Sequence, residues 1–92
     1  MLVAALAIKI LIHDSHSLKA KRSVVKSVKE RLKNKFNVAV AEIDQHDKHN
    51  FAEIGLTTIG VDSHIVESTL QSAVQFMEND LRFEIVDVVR VI

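Results

Sequence analysis

The sequence predicts an α+β domain, a four-stranded antiparallel sheet with two helices packed on one face. Three observations carry that expectation. Six segments alternate between the period of a strand and the period of a helix, in the order β-α-β-β-α-β. No linker, repeat or low-complexity stretch separates them, so residues 1–92 form a single domain. Two right-handed β-α-β connections in this order interleave in one common way, the ferredoxin-like split arrangement, with strand order 4-1-3-2.

Each element follows from its residues. In segment 2–13, Leu2, Ala4, Leu6, Ile8, Ile10 and Ile12 fall on one face at period two. The other face (Val3, Ala5, Ala7, Lys9, Leu11, His13) is also mostly apolar, which suits a central strand. Asp14 to Ser17 are a polar loop, and Ser17 is placed to cap a helix beginning at Leu18. Leu18, Val25, Val28, Leu32 and Phe36 form that helix's expected buried stripe. Segment 37–44 reads as a second strand, and 51–61, with Ala52, Ile54, Leu56 and Thr58 alternating, as a third. The loop between them, Gln45 to Asn50, makes the two a hairpin. Asp62 or Ser63 starts a second helix that runs to about Asn79, with Ile65, Val66, Leu70, Ala73, Phe76 and Met77 inward. Segment 82–92 is a last strand of ambiguous facing, because Asp87 interrupts one face while Glu84 and Arg90 mark the other.

Composition narrows the function classes. With 48% hydrophobic and 26% charged residues, the chain is globular in character. It has no cysteine, which excludes disulfides, thiolate metal sites and cysteine nucleophiles. The apolar start, Met1 to Ile12, is interrupted by Lys9 and is too short to span a bilayer. It also lacks a basic leader region, so a cytoplasmic protein is expected, with no membrane role.

Net charge is zero, yet the charges are not mixed. Segment 19–35 carries Lys19, Lys21, Arg22, Lys26, Lys29, Arg31, Lys33 and Lys35 against Glu30 alone, a net of +7. Segment 36–92 carries three basic residues against ten acids, a net of −7. At 100° per residue, Lys19, Arg22, Lys26, Lys29 and Lys33 share an arc about 80° wide and about 21 Å long. Cations in the first turns of a helix oppose its macrodipole, so an anion at the helix start would favour them. Ser17, Lys19, Lys21, Arg22, Lys26, Lys29 and Lys33 are therefore the expected anion or nucleic-acid contacts, a surface long enough to track several phosphates. The chain has four Phe and no Trp or Tyr, which gives little for base stacking. RNA binding would act through the phosphate backbone. The apolar second face of the sheet predicts a homodimer or another partner, through that face or an edge strand. A homo-oligomeric interaction module with no nucleic-acid role is the alternative function.

Chemistry finds little footing. Asp44, His46, Asp47 and His49 have metal-ligand side chains, but Lys48 sits among them, and no metal or other cofactor is expected. His13, Asp14, Ser15, His16 and Ser17 include every triad residue type, although sequence neighbours rarely make a triad. Glu42, Asp44 and Glu53 could pair carboxylates across the hairpin. With only Gly55 and Gly60, a glycine-rich phosphate loop is impossible. The expectation is no enzyme and no catalytic residue.

Two stretches, Ser15-His16-Ser17-Leu18-Lys19-Ala20-Lys21-Arg22 and Phe36-Asn37-Val38-Ala39-Val40-Ala41-Glu42, together with Val86-Asp87-Val88, resemble the YlxP-like bacterial family, a domain of unknown function. The resemblance covers essentially the whole chain. It implies a ferredoxin-like fold and an association with translation or ribosome maturation, and no established activity comes with it. Two departures stand out. Ala20 replaces a frequent Glu, which removes a reciprocal capping box with Ser17. Lys48-His49-Asn50-Phe51 replaces a frequent Thr-Trp-Gln-Arg, so an aromatic, cationic loop feature is missing.

Overall fold

Runs of period two become strands and runs of period 3.6 become helices throughout the computed structural model, which describes all 92 residues. The elements are β1 (Leu2–Ile12), α1 (Leu18–Lys35), β2 (Ala39–Asp44), β3 (Phe51–Gly60), α2 (Ser63–Glu78) and β4 (Phe83–Arg90). Strand order is β2-β3-β1-β4 with every pairing antiparallel, the expected 4-1-3-2 counted from the opposite edge. Both helices begin on side-chain caps. Ser17 accepts from the Ala20 amide at 3.1 Å, and Asp62 accepts from the Ile65 amide at 3.0 Å.

The core lies between the sheet and the helices. Ala4, Ile8, Ile10 and Ile12 of β1 meet Ala52, Ile54 and Leu56 of β3 on the helix side. Val25, Val28 and Leu32 of α1 and Val66, Leu70, Ala73 and Met77 of α2 close over them. Ile65 departs from the expected inward set and is exposed, whereas Leu18 and Phe36 are half-buried. Phe36 meets Phe76 edge to face at 5.8 Å between ring centroids, which joins the end of α1 to α2.

Two bulges set which side chains point where. In β2, Glu42 pairs with Ile54 and Asp44 pairs with Glu53, so Ile43 is the additional residue. In β4, Ile85 pairs with Ile10 and Asp87 pairs with Lys9, so Val86 is additional. The second bulge resolves the ambiguous last strand. Phe83 and Ile85 face the helices before it, and Val88 and Arg90 face them after it, because one added residue exchanges the two faces.

Candidate functional site

Helix α1 forms because its apolar positions recur at helical spacing and because Ser17 satisfies an amide at its start. It has no acidic residue in its first turn, and Lys33 and Lys35 complement the dipole in its last. Lys19, Arg22, Lys26 and Lys33 are exposed, and Lys29 is half-buried at the margin of the packed stripe. The five share one flank of the cylinder, as the spacing predicts. Arg31 lies about 160° around the helix from the centre of that flank. Its guanidinium sits 5.2 Å over the Phe76 ring and 3.9 Å from Asp80. The cationic flank therefore points away from α2.

Lys21 does not belong to this surface. Its side chain is only 1% exposed, and its ammonium lies 2.9 Å from Glu42 Oε2 and donates to the Gln45 carbonyl. The reason is rotational. Lys21, Val25, Val28 and Leu32 follow one another by four, three and four residues, so Lys21 continues the buried stripe. That spacing, with Glu42 brought to the helix side of β2, is the signal that separates Lys21 from its basic neighbours.

Four of the 12 basic residues reach a carboxylate within 4.0 Å: Lys21, Arg31, Arg82 and Arg90. Arg82 grips Asp80 through two nitrogens, at 2.9 and 2.6 Å, and these hydrogen bonds hold the Asp80 carboxyl below the usual carboxylate range. Arg90 grips Glu67 on α2 in the same manner, at 3.0 and 2.7 Å, which likewise lowers the Glu67 pKa. None of Lys19, Arg22, Lys26, Lys29 and Lys33 has such a partner.

The two loops at the start of α1 are tied together. Ser15 is buried, and its hydroxyl donates to the His49 carbonyl across the gap, while the Ile12 amide donates to the Asn50 carbonyl. This bond occupies the one serine hydroxyl of the loop that lies inside the protein. His46 Nε2 sits 3.1 Å from the Glu42 carbonyl, and no three His, Asp or Glu side chains converge at metal-binding distance. The hairpin carboxylates separate: Glu42 turns to the helix side, and Asp44 stands beside Glu53 on the opposite face. No helix is long and apolar enough to cross a membrane.

The family model described as a protein of unknown function, DUF503, matches residues 3–90. The chain belongs to the DUF503 family. It is similar to the uncharacterized protein YlxP of Bacillus subtilis (strain 168), with 33% identity over 69 residues, which cover 75% of each chain. The geometry gives the DUF503 resemblance a physical content in this chain. Lys21 comes from the first of the two stretches that carry it and Glu42 from the second, so the two meet as one buried ion pair.

Proposed function

We propose that this chain is a non-catalytic binding module that holds RNA by its phosphate backbone through α1, with ribosomal RNA as its target. The observation that carries the reading is the set Lys19, Arg22, Lys26, Lys29 and Lys33: five cations on one flank without a carboxylate partner, on a chain of zero net charge. Their repulsion from one another and from the helix start is relieved by phosphates. Ser17 stands exposed at that start, with its hydroxyl proton free to point at an anion while the oxygen caps the helix. The aromatic rings support backbone rather than base contact. Phe83 is buried, Phe36 and Phe76 bind the helices together, and Phe51 lies under the Lys9 ammonium at 5.0 Å.

The test is a fluorescence anisotropy titration of a labelled structured RNA at two salt concentrations. The wild type is compared with an Arg22→Glu, Lys26→Glu, Lys33→Glu variant, whose three positions are exposed and leave the core intact. Binding that falls steeply with salt and disappears in the variant supports the reading. Absence of binding at low salt refutes it. A second reading, a homodimer through the open sheet face or an edge strand, is favoured at the β4 edge. Val86, Val88, Val89 and Val91 are all exposed there. Sedimentation velocity measures it directly.

A further inference from the structure

The sheet face away from the helices is built in rows, each read across paired strands. Val3 stands beside Ile59. Ala5 stands beside Thr57, with Ala39 next to Thr57. Ala7 stands between Gly55 and Val89, with Ala41 next to Gly55. The following row is charged from edge to edge: Asp44, Glu53, Lys9, Asp87. Ala5, Thr57 and Ala39 of one row and Gly55 and Ala41 of the next line an open groove of about 300 Å³, with Ile43 and Val91 also lining it. Thr57 brings the one side-chain hydroxyl to its floor, and that hydroxyl is spent on the Ala4 carbonyl at 2.8 Å. Water therefore finds no side-chain acceptor there but the oxygen of that one hydroxyl, and no free side-chain donor, unlike on the usual solvated face of an antiparallel sheet.

The shape fits a helix. Four strands span about 14 Å between the outer two, and a helix with its side chains is about 10–12 Å across. Alanine and glycine along the floor let a cylinder approach closely, while the larger Ile43 and Val91 flank it. The charge selects which helix. Three carboxylates in the charged row face one ammonium, and Lys9 stands over the Phe51 ring and pairs with none of them within 4.0 Å. A second copy stacked face to face would set that row against itself or bury it on the apolar rows, and both cost free energy. The α1 of a second copy has the cations but no exposed side chain larger than Ala20 among its apolar residues.

We propose that this open face binds an amphipathic helix of a partner protein, apolar where it lies over Ala5, Ala41 and Gly55 and carrying lysine or arginine where it crosses Glu53 and Asp87. The site lies on the far side of the sheet from α1, so it is independent of the RNA surface.

The probe is a fluorescein-labelled alanine–leucine peptide of about 18 residues, or five helical turns, with three lysines clustered at one end. A matched peptide carries glutamates instead. The lysine peptide is expected to bind at least about tenfold more tightly, a difference near 1.4 kcal/mol. The double variant Glu53→Lys, Asp87→Lys should exchange that preference. Ala41→Asp, at an exposed position that the fold tolerates, should weaken both peptides, with circular dichroism confirming the fold. The Arg22→Glu, Lys26→Glu, Lys33→Glu variant should bind the peptide as the wild type does, which separates this site from the RNA reading. Four outcomes overturn the proposal. They are no binding of the lysine peptide, equal binding of the two peptides, a preference unchanged by the double reversal, or a wild-type dimer that Ala41→Asp dissociates.

Discussion

Lys21 and Glu42 form an ion pair 2.9 Å long, 21 residues apart in sequence, with the lysine almost wholly enclosed. The ammonium also holds the Gln45 carbonyl, so one side chain fixes the end of β2 and the first turn of the hairpin loop. Gln45 adopts a left-handed backbone (φ 65°), and its amide is capped by the Asp44 carboxylate. Lys21→Met should leave the Glu42 carboxylate uncompensated and cost about 3–5 kcal/mol. Replacing both partners by apolar residues, as in Lys21→Met with Glu42→Leu, should recover most of that loss. Urea unfolding of the three variants checks the order. Arg22→Met, one position along on the exposed flank, should change stability by no more than about 0.5 kcal/mol.

Lys19 is the place where stability and binding should part. It occupies the first turn of α1, where a cation faces the positive end of the helix dipole. Lys19→Glu should stabilise the fold by about 0.3–1 kcal/mol. The same change should weaken RNA binding, because it replaces a phosphate contact with a repulsion. Thermal melts and anisotropy on one variant measure both. A gain in each, or a loss in each, would contradict the assignment of Lys19.

The salt dependence has an expected size. If the four exposed cations of the flank each displace one counterion, the slope of log K against log salt is about −3 to −4. A fourfold rise in salt should then weaken binding by roughly 50- to 150-fold. Removing one of these lysines should reduce the slope by somewhat less than one.

Gly55 admits no side chain without a local rearrangement. A Cβ there would stand 2.8 Å from Ile43 Cγ2, the residue that the β2 bulge sets over it. Gly55→Ala should cost about 1–2 kcal/mol, and Ile43→Ala in the same chain should relieve it. Chemical denaturation of the two single variants and the pair measures the coupling.

Acid should loosen the join between α2 and β4. The Arg82 hydrogen bonds lower the Asp80 pKa in the folded chain, with smaller help from the Arg31 charge. A depressed carboxylate stabilises fully above its unfolded pKa of ~3.9, and the contribution is lost as pH falls through the folded value. Unfolding free energy should therefore decline below about pH 4, and Asp80→Asn should remove part of that decline. Denaturation curves across the acid range test it.

Element order, caps and sheet order were legible because periodicity and cap chemistry act locally. What escaped was decided by single added residues. Period-two reading assumes an unbroken pleat, and Ile43 and Val86 break it. The true facing of Val88 and Arg90, and the outward turn of Asp44, follow from those breaks rather than from residue type. Lys21 was obscured in another way. A lysine within a run of lysines reads as solvated, and its burial depends on a carboxylate that only the folded sheet delivers. The cationic flank itself was legible because it needs only a helix and a spacing.

The extra residue at Val86 also acts as a reading-frame mark on the outermost strand. With it in place, Arg90 reaches back over the sheet edge to clasp Glu67, and Asp87 stays in the acidic row beside Lys9. Were Val86 paired with Lys9 in an unbroken ladder instead of bulging, both would be lost. Asp87 would move opposite Ile8, toward the helices, and Arg90 would swing out among the apolar rows and leave α2 unclasped. The strand cannot slip by one step without a visible loss. An uncovered edge strand, ordinarily the easiest element to shift, is thus kept in a single alignment.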